Sequence, residues 1–377
     1  MRKKFIVVTT IPASLRFFGG QLNFLNKTFE VMAISSDKKN LEEVGQKEGI
    51  SVHCIPMQRP ISLCKDIISF YRFIVFFLKS NPYIVHGNTP KGGFLSMLSA
   101  KITNVPVRIY ICHGLRYQGY GGLMKKLLQM MERISCVCAT EVICVSVGVK
   151  QTLLADHICK KQKLKVIAYG SANGINLNRF DKQKIGTIVL PQISKGGFVF
   201  CFVGRIVKDK GVNELITAFD RLSTENEDVH LVVVGSIENE QNPIAEITKN
   251  TMQVNTRIHT VGFQPDVRPY MNQSDVFVLP SYREGFGMVL MEAGALGIPC
   301  ITTDIIGCNE IIQDGVNGKI IPPCDEEALY HAMKWFYEHR DDEVKEMAKR
   351  ARPMIVERYE QRKVWEALLE EYRSLGK

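Results

Sequence analysis

The chain has 377 residues, of which 45% are apolar and 23% charged, and a net charge of +9. At roughly 100–200 residues per domain this length makes two domains, at most three, and the composition excludes wholesale disorder, a collagen-like chain and a coiled coil. The charge is unevenly spread: residues 1–185 hold 27 Lys and Arg against 10 Asp and Glu, a net +17, while residues 186–377 hold 21 against 29, a net −8. A basic front half favours polyanionic partners, whether nucleic acid, an anionic lipid leaflet or a phosphate-bearing substrate. Of the eleven cysteines, Cys112, Cys138, Cys144 and Cys201 lie in apolar runs where a thiol packs as a small hydrophobe, so no disulfide framework is implied.

In chain order, the basic start MRKKFIVVTTIPASLR has the outline of a secretory leader, but Thr9, Thr10 and Arg16 break its apolar stretch early and no leader is expected. Front-half strands are expected at 4–9, 30–34, 51–55, 83–86, 107–112, 141–145 and 164–168, with helices between them such as 91–102 and 123–138. Residues 61–79 are the most hydrophobic window, yet Lys65, Asp66 and Arg72 interrupt it. Its longest apolar run, 73–78, is far short of the roughly 20 residues of a membrane span, so a cytoplasmic protein is expected.

Residues 181–197 mix charge, Pro and a Gly pair without periodicity, and read as a linker. Strands then resume at 198–203, 229–234, 257–261, 276–279 and 298–302, and the tail from about 325 is helical, with Trp335 and Trp365 as packing anchors. Apolar runs alternating with helical segments indicate an α/β protein with parallel sheets. The expected division is a front domain over 1–180, the linker, a second domain over 198–357 and a last helix over 358–377.

Two segments carry chemistry. GRIVKDKG at 204–211 follows the strand 198–203. There Gly204 is expected to permit a tight turn and Arg205 and Lys210 to project two cations at the carboxyl end of a parallel strand, where open sheets bind ligands. Two such cations suit a diphosphate. EGFGMVLMEAGALG at 284–297 places an acid in a Gly-rich loop that runs into an apolar helix. Gly285 and Gly287 allow close backbone approach, and the amides of Phe286, Gly287, Met288, Val289 and Leu290 are expected to be free at a helix N-terminus, a natural phosphate site. Glu284 in the loop and Glu292 one turn into the helix would repel a phosphate, but carboxylates accept paired hydrogen bonds from sugar hydroxyls, and a nucleotide sugar offers hydroxyls on both sides of its diphosphate.

These two segments, with NGINLNRF at 173–180, resemble the retaining glycosyltransferases of family 4 over nearly the whole chain. The resemblance implies the GT-B fold: two Rossmann-like domains with parallel sheets facing across a cleft, and C-terminal helices packing back toward the N-terminal domain. It implies that Arg205 and Lys210 hold the donor diphosphate, Glu284 the transferred sugar, Glu292 the ribose, and Gly262 and Phe263 the base. RFFGGQLNF at 16–24 would bring the N–H groups of Gly19 and Gly20 against the diphosphate from the opposite side. His113, in HGLRYQGYGG at 113–122, matches an active-site His of the family, and this string resembles the branch that builds bacterial capsular and O-antigen polysaccharides. Arg116, Tyr117 and Tyr120 would meet the acceptor. Asn176 departs from the Asp that many relatives carry.

The function so implied is transfer, with retention, of a sugar of the N-acetylated hexosamine class from a UDP-sugar to a lipid-diphosphate-linked saccharide, at the inner face of the cytoplasmic membrane. The donor is a substrate; no cofactor, no metal and no nucleic acid is expected, since protein cations and amide dipoles would do the work of a divalent ion. A UDP-sugar epimerase of the same fold and a non-catalytic polyanion-binding protein are the rival readings.

Overall fold

FVFCFV is apolar at every position, and VHLVVV at every position but His230, because parallel strands covered by helices on both faces have no solvent side, and both are buried along their whole length. The computed structural model describes residues 2–188, 193, 196–240 and 242–375. The chain forms two compact units, one running through Gly174 and resuming at Arg362, the other spanning Ile175–Gln361.

The first unit holds seven parallel strands, β1 (Lys4–Val8), β2 (Glu30–Ser35), β3 (Ser51–Cys54), β4 (Ile84–Gly87), β5 (Val107–Cys112), β6 (Glu141–Cys144) and β7 (Leu164–Lys165), in the order β3-β2-β1-β4-β5-β6-β7. Its helices are α1 (Gln21–Asn26), α2 (Lys38–Glu48), α3 (Leu63–Ser80), α4 (Pro90–Ile102), α5 (Gly122–Cys138) and α6 (Val147–Ala155). The order reverses between β1 and β4, so this is a doubly wound sheet whose switch point lies at the carboxyl ends of those strands. The strand expected over 164–168 stops after two residues, since Ala168 and Gly170 take left-handed conformations, with φ 50° and 89°.

The second unit repeats the plan with β8 (Phe198–Val203), β9 (Val229–Val234), β10 (Ile258–Gly262), β11 (Val276–Leu279), β12 (Cys300–Thr303) and β13 (Gly318–Ile321), in the order β10-β9-β8-β11-β12-β13. Its switch point lies between β8 and β11. Around the sheet lie α7 (Val212–Glu225), α8 (Glu246–Val254), α9 (Arg268–Asn272), α10 (Met288–Ala295), α11 (Glu326–Glu338) and α12 (Glu343–Tyr359). The strand β13, GKII, was not anticipated: four residues with a Gly and a Lys carry too little apolar signal.

The expected α/β class with two Rossmann-like halves is therefore borne out. The first compact unit ends at Gly174, six residues before the boundary read from sequence at 180, and residues 189–192, 194 and 195 of the expected linker lie outside the described residues. Ile175 forms a parallel bridge with Glu360, its N–H donating to Tyr359 O while Gln361 N–H donates to Ile175 O. The last helix, α13 (Gln361–Ser374), contributes Trp365 and Tyr372 to the first unit. Trp365 is the packing anchor expected: its Nε1 donates to Asn173 Oδ1 over 2.7 Å, and a Cβ on Gly20 would lie 2.9 Å from its ring.

Candidate functional site

In the second unit the two motifs converge at the switch point. After β8, residues Lys208–Lys210 make one 3-10 turn closed by Gly211 at φ 69°, where a Cβ would stand 2.0 Å from Pro280 O. Only Gly fits there. The tight turn expected at Gly204 is instead made at Gly211, for Gly204 is absent from the positive-φ residues and its N–H continues the ladder to Val234 O. The turn is stitched to the segment after β11: Tyr282 N–H donates to Asp209 O, Arg283 binds the Asp209 carboxylate, and Lys210 Nζ pairs with Glu284 Oε1. Ser281 Oγ donates to the same Glu284 oxygen from 3.0 Å. Arg205 points elsewhere, pairing with Glu238 at 2.9 Å on an open surface.

Glu284 lies in the loop and Glu292 one turn into α10, as expected. Burial pushes the Glu292 carboxyl up to about 7; Arg179 favours its anion and Asp266 opposes it. Its carboxylate has no hydrogen-bond partner among the described residues. The amides in front of α10 are less free than the sequence suggests. Gly287 N–H donates to Gly307 O, Met288 N–H to Phe286 O and Leu290 N–H to Gly287 O, which leaves Phe286 and Val289 as the amides without a partner among the described residues. The Phe286 ring is buried edge-on against Tyr359, and the Leu290 side chain is wholly buried. A Cβ on Gly287 would come within 2.9 Å of Leu290 Cδ1, and one on Gly307 within 2.5 Å of Gly285 O, so small residues let these two loops touch. Gly262 ends β10 at φ 68°, and Phe263 beyond it is 71% exposed.

In the first unit, His113 follows β5, its ring stacked on Phe17 at 5.0 Å and partly open to solvent. Gly19 and Gly20 follow β1, but their N–H groups are engaged: Gly19 donates to Arg16 O, and Gly20, at φ 79°, donates to Glu48 Oε1, while the other oxygen of this carboxylate, at the end of α2, accepts from Asn23 N–H in α1. The expectation that these amides face a diphosphate meets that competing, buried carboxylate. Tyr117 is likewise withdrawn, 1% exposed with its hydroxyl donating to Asp156 Oδ2 at 2.6 Å. Arg116 and Tyr120 are exposed and stack on each other, guanidinium to ring at 5.8 Å. Asn176 accepts from the N–H groups of Asn178 and Arg179, a turn that Asp could make equally well.

Sequence reasoning missed Ser281, Arg179 and Asp266 around the two glutamates, and Asn88 and His86 beside His113. Only the last pair had a local signal, the polar HGN that closes the apolar strand β4. A surface cavity of ≈ 680 Å³ lined by Trp335, Asp341, Lys345 and Arg350 contains none of the candidate residues, so volume alone does not find the site.

Residues 23–179 match the family model described as Glycosyltransferase Family 4, and residues 190–354 the model described as Glycosyl transferases group 1. The chain is 33% identical over 379 residues to the capsular polysaccharide biosynthesis glycosyltransferase CapM of Staphylococcus aureus, covering 100% of this chain and 98% of that one. It is 27% identical to a UDP-Gal:alpha-D-GlcNAc-diphosphoundecaprenol alpha-1,3-galactosyltransferase of Escherichia coli, over 82% of this chain and 80% of the relative. Among solved structures, a glycosyltransferase of Rickettsia africae superposes with a TM-score of 0.82 at 20% identity, covering 100% and 99% of the two chains. Anabaena HepE in complex with UDP superposes with a TM-score of 0.79 at 18% identity, covering 99% and 100%. These two structural likenesses show the fold, GT-B.

Proposed function

The chain belongs to the family 4 glycosyltransferases, and from that premise we propose that it transfers a sugar, with retention, from a UDP-sugar to a lipid-diphosphate-linked saccharide in the synthesis of a bacterial surface polysaccharide. The observation that carries this reading is the meeting of Lys210 and Glu284 at the switch point of the second sheet, a cation for a diphosphate beside an acid for sugar hydroxyls. The capsular polysaccharide role of the Staphylococcus relative and the diphosphoundecaprenol acceptor of the Escherichia relative support the polysaccharide role and the lipid-diphosphate acceptor, and the UDP bound to HepE supports the nucleotide.

Negative charge grows on the diphosphate as the glycosidic bond breaks. Lys210, Arg205 once released from Glu238, and the amides of Phe286 and Val289 meet that charge, which is stabilisation of the leaving group rather than of the ground state. Glu284 holds the transferred sugar through its hydroxyls, Glu292 the ribose, and Phe263 lies against the base. The departing phosphate oxygen takes the acceptor's proton on the same face of the sugar, so the configuration is retained and no divalent ion is needed.

The basic first unit docks on anionic lipid. On α3, Leu63, Ile67 and Tyr71 are 65–76% exposed beside Lys65 and Arg72; on α5, Leu123, Leu127 and Met130 are exposed beside Lys125, Lys126 and Arg133. The helix α4 packs against both. No helix among the described residues is long and apolar enough to cross a membrane, and this combination of apolar and basic side chains suits a surface-lying mode instead.

The experiment is incubation of the purified protein with a labelled UDP-N-acetylhexosamine or UDP-hexose and an undecaprenyl-diphosphate saccharide in detergent. The expected product is an elongated lipid-linked saccharide with the donor's anomeric configuration. Release of free epimerised sugar without acceptor would contradict the reading.

A further inference from the structure

His113 is the end of a buried hydrogen-bonded chain in the first unit. Its Nε2 lies 3.1 Å from Asn88 Oδ1. Asn88 is wholly buried just after β4, and its Nδ2 lies 3.1 Å from the carbonyl oxygen of His86 and 2.9 Å from His86 Nδ1. His86 Nε2 in turn lies 3.0 Å from the Tyr372 hydroxyl on α13.

The hydrogens along this chain follow by elimination. A peptide carbonyl only accepts, so the end of the Asn88 amide that faces His86 O must be the NH2; the flipped amide would set two oxygens against each other. The second hydrogen of that NH2 points at His86 Nδ1, which therefore carries a lone pair. His86, neutral because burial lowers it to about 3, then holds its hydrogen on Nε2 and donates it to the Tyr372 oxygen. With its NH2 so committed, Asn88 can offer His113 only Oδ1, an acceptor. His113 must therefore carry its hydrogen on Nε2. Burial lowers this ring as well, to about 4, so it is neutral at physiological pH and its Nδ1 is a lone pair with no partner among the described residues.

We propose that Asn88 is a positioning residue that holds His113 in the Nε2–H tautomer, with His86 and Tyr372 locking the Asn88 amide, so that His113 meets the substrate as a hydrogen-bond acceptor and never as a donor. An imidazole so fixed recognises a hydroxyl hydrogen and rejects a phosphate oxygen. The last helix of the chain, through Tyr372, thereby becomes part of the device that sets the polarity of a residue on β5. This rests on the reading of His113 as a substrate-contacting residue.

Other titratable groups near this strand end are Cys112, whose thiol is pushed far up by burial; Glu132, which accepts from that thiol at 3.5 Å and is itself raised by burial to about 7; Cys144, raised by burial; and Tyr117, raised by burial and by its hydrogen bond to Asp156. The aromatic neighbours of the ring, Phe17 stacked and Phe18 edge-on, carry no charge.

The test is the ring-nitrogen shifts of ¹⁵N-histidine-labelled full-length protein, with His113 assigned from the His113→Gln variant. In the wild type, His113 should show a protonated Nε2 and an unprotonated Nδ1; the opposite tautomer overturns the proposal without recourse to any variant. Asn88→Asp replaces the amide by a carboxylate, which still accepts from Nε2–H but favours the imidazolium, so the His113 titration should rise by about 1–3 units. Turnover at saturating UDP-sugar, where the Glu292 dependence of donor affinity drops out, should gain an acid limb that follows the raised His113 titration, a change that loss of packing alone would not produce. A His113 titration unmoved by Asn88→Asp also overturns it. Undiminished transfer by His113→Gln overturns the reading of His113 as a substrate contact, a result distinct from either tautomer outcome.

Discussion

Lys210 and Glu284, 74 residues apart in sequence, form an ion pair in which each side chain is less than one-fifth exposed, and Ser281 Oγ donates to the same carboxylate oxygen. The pair brings the phosphate-seeking cation and the hydroxyl-seeking acid within one contact of each other, so each orients the other before substrate arrives. Lys210→Ala removes a charge aimed at the leaving group and should lower kcat by about 100–1000-fold, as loss of one such donor does elsewhere. Glu284 keeps Ser281 as a partner in that variant, so the fold should survive; thermal unfolding followed beside steady-state kinetics checks both. A variant within threefold of wild-type turnover would show that Lys210 does not touch the reacting diphosphate.

Arg205 is held off by Glu238. Their side chains are 56% and 38% exposed, and a pair so open to solvent contributes only about 0–1 kcal/mol. Glu238→Gln should therefore release Arg205 and tighten UDP binding by up to about fivefold, with the gain shrinking as salt is added. Calorimetric titration at two ionic strengths measures it. Weaker binding in Glu238→Gln would mean that Glu238 itself contacts the ligand.

Glu292 carries a pH signature. Its folded pKa of about 7 stands above the ordinary carboxylate value of 4.5, so between these limits the folded state holds more protons than the unfolded one. Stability from this group is greatest below pH 4.5 and declines as the pH rises through 7. Ligand binding should run the opposite way if the ribose hydroxyls require the anion: affinity for a UDP-sugar, whose phosphates are both diesters and do not titrate here, should rise between pH 6 and pH 8. Glu292→Gln should flatten that profile. A wild-type affinity independent of pH over this range would remove Glu292 from the ribose.

The exposed faces of α3 and α5 should carry the protein to membranes. Wild-type protein is expected to co-sediment with phosphatidylglycerol vesicles and not with phosphatidylcholine vesicles, and to be released by salt. Ile67→Glu with Leu127→Glu should abolish this while leaving the fold intact, since 65% and 36% of these side chains already face solvent. Sedimentation of the double variant equal to wild type would relocate the docking face.

The parts of this molecule that were readable in advance share a physical cause. Buried parallel strands leave nearly unbroken apolar runs, so all twelve expected strands begin within two residues of their expected starts, with helix-forming sequence between them. Glycine-rich loops next to such strands advertise a backbone that must bend or approach closely, which is why the segments around Lys210 and Glu284 could be found. Hydrogen-bond commitments are different in kind. Whether the amide of Gly20 is free depends on Glu48, 28 residues on; whether Tyr117 is available depends on Asp156, 39 residues on. Nothing local announces such partners. Asn88 does stand in a visible polar HGN at the end of β4, but its partners appear only when β4 and β5 pair and α13 lays Tyr372 beside His86.

The measurement closest to the centre of this account is the dissociation constant of UDP for the second unit's site in the full-length protein, by calorimetry, alongside GDP and ADP. Wild-type protein should prefer UDP, and its unfolding transition should gain about 2.7 kcal/mol of stability at 100 times the dissociation constant; Lys210→Ala should weaken binding at least tenfold. Preference for GDP or ADP, or UDP affinity untouched by Lys210→Ala, would contradict the assignment of this site.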